Sequence, residues 1–302
     1  MGVKGLSRQR NKLYDREQIR VGYTFLSPVF LWMAVFVIFP VSFAFYLSLH
    51  DWNILSAEHS YVGLGNYLEL LRTPDFLVAL KNTIYFTAGN VFFTMVLSLI
   101  VAVLLNRKIR GIAFLRGLYY SPVVVSVIAA ATVWTYIYDP QFGTLNSLLR
   151  LIHLPALPWL ADPAWAMPAV IIMSVWKNTG YYMVIYLAGL QGIPESYHEA
   201  AKVDGATPWQ CFWYITWPLL MPSTMLVVIM ALIHSFQVFG QIYVMTAGGP
   251  VNSTLVLVYY LYQQAFVYFR MGYASAVGFV IFIVIFIATF IQFRLMDRKI
   301  QF

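Results

Sequence analysis

Eight polar side chains stand within or at the edge of stretches that are otherwise apolar: Ser174, Lys177, Asn178 and Tyr181 in one, and His234, Ser235, Gln237 and Gln241 in another. The first four recur at i, i+3, i+4 and i+7, the spacing that places side chains on one face of a helix. Hydroxyls, an amide and a phenol on such a face donate and accept hydrogen bonds, and Trp176, Tyr182, Phe236 and Phe239 beside them offer rings for stacking. That chemistry binds a polar solute such as a sugar and does not break its bonds. A second reading is helix packing, because small and amide side chains inside apolar helices also bond to neighbouring helices. For Ser235 and Asn178 both readings stand. Lys177 is costlier, about 3 kcal/mol at the centre of a membrane span, unless it faces water or a partner. An anionic group of a solute or an acid of a partner subunit would supply one. His234 alone carries less weight.

A different kind of chemistry is written in YHEAAKVDGATPWQCFWYITWPLLMP, Tyr197 to Pro222, where acids, small residues and a glycine lie between two apolar runs. Pro194 and Glu195 mark a helix start, Glu199 to Lys202 are good helix formers, and Gly205 stands where a helix ends in a left-handed residue. The pattern predicts a short helix, a break and a second helix over Trp209 to Trp217, whose Phe212, Trp213 and Ile215 rest on a membrane surface. Covalent chemistry has no support. No lysine follows a glycine, as a phosphate-cradling loop needs, and there is no HExxH and no Cys/His cluster for a metal. The single cysteine, Cys211, cannot form an internal disulfide.

These residues have to be positioned by membrane helices. Of 302 residues, 61% are hydrophobic and only 10% charged, against about 25% charged in soluble domains. Six runs are long enough to cross a bilayer, roughly 22–49, 83–105, 118–138, 166–190, 218–240 and 271–293. The first is too long for a cleavable leader and reads as an anchor. With the N-terminus inside, 14 of the 19 basic residues fall on cytoplasmic segments, among them Lys4, Arg8, Arg10, Lys12, Lys108, Arg298 and Lys299. Both termini are therefore expected in the cytoplasm, with 191–217 as a cytoplasmic loop and 241–270 at the outer face. The net charge of +7 follows from topology and anionic inner-leaflet lipid, so no nucleic-acid partner is expected. Val251 to Phe269 is uncharged, but an odd number of spans would carry Arg294 to the outside; it reads as a helix lying at or dipping into the outer face. The segment 50–82 reads as short capping helices and 139–165 as a proline-constrained loop.

Glu199, Ala200 and Ala201, then Gly205, Ile215 and Pro218, stand at spacings that resemble the EAA loop of the membrane subunits of binding-protein-dependent ABC importers. By chance this match has a probability on the order of 10⁻⁵ to 10⁻⁴ in a chain of this size. Trp217 stands where that family usually has leucine. LAGLQGIPESYHEAAKVDGA, GPVNST, GLGNYLELL and NTIYFT are similar to the first permease subunit of carbohydrate-type importers. The resemblance implies one all-helical integral membrane domain over 1–302, of the type I ABC importer permease (MetI-like) fold, in the cell inner membrane. It also implies a second permease subunit, two cytosolic ATPase subunits that bind ATP and Mg, and an extracytoplasmic solute-binding protein; the chain itself would bind no cofactor. Within the loop, Glu199, Ala200, Ala201, Asp204 and Gly205 would seat on the ATPase and pass its closure to the spans. Ser174, Lys177, Asn178, Tyr181, Ser235, Gln237 and Gln241 would line the path of a sugar, or of glycerol phosphate or another polyol phosphate. A secondary transporter is the rival class, yet no span carries the acid that ion coupling uses.

Overall fold

A computed structural model describes residues 3–56, 59–107 and 109–297, without the side chains of residues 3–15, 17 and 295–297. Of the basic residues that set the expected orientation, Lys108, Arg298 and Lys299 lie outside the described residues, as do the side chains of Lys4, Arg8, Arg10 and Lys12. Helix α1 (Val3–Met33) runs through the wider π turns of Ala34–Ile38 into α2 (Phe39–Ser48). The most apolar window of Gln18–Ser48 buries none of its residues inside the chain. Its last part is held by Phe45, which packs edge-on against Phe279 at 5.2 Å, and by Ser48 and His50, which offer their carbonyls to the buried Asn66 amide at 2.9 Å each. Asn66 belongs to α3 (Gly65–Arg72), and between α2 and α3 a two-residue strand β1 (His50–Asp51) pairs antiparallel with β2 (Ser60–Tyr61). The asparagine of GLGNY is therefore a staple.

Helix α4 (Pro74–Leu105) starts earlier than the span expected at 83, because Pro74 in its first turn and Asp75 beside it are helix-start residues. Its buried face is Thr83, Thr87, Asn90, Thr94, Ser98 and Ala102, one every three or four residues. Small and weakly polar side chains let membrane helices approach closely. At the far end, Arg116 Nη2 donates to Leu105 O at 2.9 Å, placing a cation on the last turn.

The single span expected over 118–138 is broken. Helix α5 (Ile112–Val124) and helix α6 (Val127–Ile137) meet at 96°. Pro122 has no N–H for Leu118 O, and Ser121 Oγ donates to that carbonyl instead, at 2.8 Å. Val125 and Ser126 then take extended backbone, ψ 138° at each. The segment 139–165 is more ordered than a loop, because it contains α7 (Thr144–Leu151) and one short helical turn, Trp159–Ala161. Asn146 organises it from a fully buried position, donating to Pro140 O and Leu157 O and accepting from Leu157 N and Trp159 Nε1. Asn146→Ala is expected to destabilise the chain by about 2 kcal/mol, since the indole N–H and Leu157 N–H lose their acceptor; thermal unfolding in detergent reads this as a lowered midpoint. Backbone N–H groups of Phe142 and Gln141 hold the Asp139 carboxyl below the usual carboxylate range.

Helix α8 (Pro163–Gln191) starts at an Asp162 cap, whose carboxylate accepts from Ala164 N at 2.7 Å. Its 29 residues, at about 1.5 Å each, make roughly 43 Å. The segment expected in the cytoplasm follows as α9 (Glu195–Val203) and α10 (Pro208–Cys211), then π turns over Phe212–Thr216 and α11 (Trp217–Leu219). The chain bends by 65° before α12 (Met221–Phe236). The expected second helix, Trp209 to Trp217, is thus the start of one bent helical run. The expected span 218–240 stops at Phe236, Gln237 caps it, and Gln241 belongs to a separate helix, α13 (Gly240–Met245).

The stretch expected as a helix at the outer face, Val251 to Phe269, is an irregular loop up to Val256, and only then a helix. Helix α14 (Leu257–Tyr262) has six residues and is followed by five in π turns, too few to cross a bilayer. Leu257, Tyr259, Tyr260, Gln264 and Ala265 are buried within the chain. Asn82 donates to Asn252 O and Leu255 O, and Thr83 Oγ1 accepts from Leu257 N. So NTIYFT and GPVNST, far apart in sequence, hold each other. Helix α15 (Met271–Asp297) closes the fold behind Arg270, whose guanidinium binds both carboxylate oxygens of Glu69 at 2.7 and 2.8 Å.

The apolar core has two parts. One joins the early part of α4 with α6, α13, α14, α15 and Met167 to Val175 of α8; the other joins the end of α4 with α12 and Tyr182 to Leu190 of α8. Neither contains Trp176, Lys177 or Asn178.

Candidate functional site

Between the two cores lies a polar stratum. Ser174 is 1% exposed; it donates to Val170 O and accepts from Gln241 Nε2 at 3.2 Å. Ser235 is equally buried, donating to Ala231 O and accepting from Asn90 Nδ2 at 2.8 Å. Ser98 Oγ donates to Thr179 O at 3.0 Å, which joins α4 to α8. Two residues expected on the solute path, Ser174 and Ser235, are thus engaged in helix packing within the chain. Gln241 is half-buried and tied to Ser174.

Lys177 also has its partners within the chain. Its Nζ lies 2.7 Å from Val125 O, 3.2 Å from Pro122 O and 3.4 Å from Val123 O. These carbonyls belong to the last turn of α5 and to the corner that leads into α6.

The remaining residues of the set gather on a more open face. Asn178 and Tyr181 are half-buried, and His234 and Gln237 are exposed. Tyr181 packs edge-on against Tyr182 with ring centres 5.1 Å apart, and lies 6.4 Å from the His234 ring. The Tyr182 hydroxyl and His234 Nδ1 are 3.2 Å apart, the donor depending on the ring tautomer. Tyr181 Oη reaches Met230 Sδ at 3.9 Å. This face offers the Tyr181 ring, two amides and an imidazole, with the Tyr182 ring buried behind them, donors and acceptors without a fixed charge.

The loop between α8 and α12 is built from local rules. Helix α9 ends with Asp204 in helical backbone and Gly205 at φ +77°. Gly205 N donates to Lys202 O and Ala206 N to Ala201 O, at 3.1 and 2.9 Å, the paired bonds of a Schellman ending. No other atom lies within 4 Å of the place a Gly205 Cβ would occupy, so glycine is selected here by backbone angle and not by space. Helix α10 opens with a capping box, Gln210 N donating to Thr207 Oγ1 and Thr207 N to Gln210 Oε1, with Pro208 in its first turn. Two consecutive helices are thus stopped and restarted within four residues, 204–207. Glu199, Ala200, Asp204 and Gly205 are exposed while Ala201 is buried. Behind the loop a cavity of about 480 Å³ is lined by Asn106, His198, Lys202, Cys211 and Phe212 among others. The outward face therefore carries two carboxylates and small residues at a sharp turn.

The sequence over residues 19–302 matches the model of the binding-protein-dependent transport system inner membrane component. The chain belongs to this family. It is similar to the sn-glycerol-3-phosphate transport system permease protein UgpA of Agrobacterium fabrum, 31% identical over 93% of this chain and 96% of that one. It is 33% identical to the trehalose/maltose transport system permease protein MalF of Thermococcus litoralis, over 94% of this chain and 96% of its relative. In fold it matches a chain of the bacterial alginate ABC transporter solved with an alginate pentasaccharide-bound periplasmic protein. That match has a TM-score of 0.81 and 24% identity, covering 95% and 98% of the two chains. The permease is accordingly an all-helical, multi-pass inner-membrane protein of the type I ABC importer fold, with no ATPase site of its own.

Sequence reasoning overlooked three buried residues of this permease: Asn90, Thr94 and Ser98. Their signal was present, as polar residues every four positions along one face of α4. It stood out less than Lys177 because none of them is charged.

Proposed function

We propose that this permease, paired with a second permease-type subunit, forms the path by which a sugar crosses the membrane, and that α9 and α10 couple the path to cytosolic ATPase subunits. Six crossings with both termini inside are part of this reading: Gln18–Ser48, α4, the bent pair α5–α6, α8, the bent run α10–α12, and α15. The observation that carries the coupling role is the exposed turn at 204–207. Glu199 and Asp204 present carboxylates for charge-assisted bonds, and Gly205 allows a partner's backbone to come close. Continuity of α10 with α12 through a 65° bend gives a movement of the loop a rigid way into the spans.

For the solute, the face formed by Asn178, Tyr181, His234 and Gln237 suits a neutral sugar, with amides for hydroxyl groups and the Tyr181 ring for an apolar sugar face. An ammonium has three protons, and three carbonyls engage that of Lys177, which leaves it poorly disposed to hold a phosphate. A polyol phosphate is the second reading, supported by the likeness to the glycerol-phosphate permease. The solute-binding protein outside the membrane would deliver either solute, and partner subunits would supply ATP and Mg.

Gentle solubilisation of the tagged permease from its native membrane, followed by mass identification of what travels with it, tests this reading. Recovery of a second permease-sized chain and an ATPase is expected, together with a binding protein that retains neutral sugars on screening. Recovery of the chain alone, or as a homo-oligomer, would contradict the coupling role; retention of phosphorylated polyols only would contradict the sugar.

A further inference from the structure

Lys177 sits where α8 leaves one core and enters the other. On its outer side, α8 is tied to α6, since Tyr138 Oη donates to Ala169 O at 2.9 Å. On its inner side α8 touches α5 through Gly180, where a Cβ would overlap Tyr119 O. Between those two attachments the chain turns by 96° at Val125–Ser126, leaving the last carbonyls of α5 without intrahelical partners. Such a helix end carries partial negative charge, and no water is present inside a bilayer to satisfy it. The Lys177 ammonium meets three of those carbonyls, at 2.7, 3.2 and 3.4 Å. Arg116 does the same for Leu105 at the end of α4.

We propose that Lys177 is a positioning residue of the transport cycle: its ammonium fixes the α5–α6 corner, and with it the placement of the two cores, without contacting the solute. The inference rests on the reading of this chain as a solute-translocating permease. A cap of this kind acts on the rate at which the body moves and is indifferent to what is carried. A solute ligand at the same position would act on affinity and on charge preference.

The test uses the complete importer in proteoliposomes, with wild type, Lys177→Met and Lys177→Arg compared on a background in which Cys211 is serine. Spin labels at Ser126 and Leu226 report the distance from the corner to α12, without nucleotide and with trapped ATP. A single narrow distance in each state is expected for wild type and Lys177→Arg, and a broad distribution for Lys177→Met. ATP turnover, stimulated by the binding protein loaded with a sugar it retains on screening, is expected to fall about tenfold in Lys177→Met, the size of one charge-assisted cap. Half-stimulation should stay at the same binding-protein concentration, and Lys177→Arg should restore turnover. Unchanged distances in Lys177→Met, or unchanged turnover, would overturn the proposal; so would a loss confined to half-stimulation or to anionic solutes. Should Lys177→Met not assemble, Lys177→Gln keeps two N–H donors without charge, and the same outcomes decide. Failure of the wild-type complex to respond to any loaded binding protein speaks against the sugar reading and leaves the distance result to judge the cap.

Discussion

Gly205→Asp is expected to insert into the membrane at wild-type level and to assemble with its partners, with ATP-driven uptake lowered on the order of 100-fold, as when a positioning element is displaced. The residue lies in an exposed turn with open space around its missing Cβ, so the fold loses only about 1 kcal/mol, the left-handed penalty at φ +77°. What changes is the outward surface. A third carboxylate joins Glu199 and Asp204, and the tight turn that brings α9 and α10 together must relax. ATP hydrolysis is expected to continue without following the binding protein. Uptake and ATPase rates measured on one preparation, with membrane insertion quantified beside them, give the result. Normal uptake in Gly205→Asp removes the coupling role from this loop.

Gly180→Ala has the second large effect, and it falls on folding. A single methyl at this position would overlap Tyr119 O and the backbone of Tyr120. Both obstacles are main chain, so α5 must move away from α8 as a body, and Lys177 then loses its reach to the corner. The expected loss is on the order of 3 kcal/mol, the upper range for overpacking. Gly117→Ala in α5 serves as the control. No atom of this chain lies within 4 Å of its missing Cβ, and removing a glycine from a helix stabilises it by roughly 0.5–1 kcal/mol. Yield of monodisperse chain and thermal midpoint in detergent should separate the two glycines clearly. Equal behaviour would mean that α5 does not pack on α8 as described.

The parts legible in the sequence are those decided by neighbours along the chain. Pro194 and Glu195 at a helix start, the helix formers Glu199 to Lys202 and a glycine after them are local signals, and α9 ends before Gly205 as those signals predict. Long apolar runs likewise announce α4, α8 and α15. Breaks inside apolar runs were illegible, because hydropathy averages over Pro122 and over Gln237, which disturb a helix without making it polar. Ser174, Lys177 and Ser235 of the polar stratum could be named from the sequence, but not their partners. Ser235 finds Asn90 and Lys177 finds the corner after Val124 only once distant helices are packed. A polar residue in a span is equally suited to a solute and to a neighbouring helix, and the choice is made in three dimensions.

Transport of labelled sugar out of proteoliposomes holding this permease, its partner permease and the ATPase subunits, with the loaded binding protein enclosed on the side facing the outer loops, tests the central claim most directly. Sugar is expected to move away from the binding protein only with ATP on the opposite side, and to stop when any one component is omitted. Movement that persists without the ATPase, or that needs neither ATP nor the binding protein, would contradict an importer driven through the α9–α10 loop.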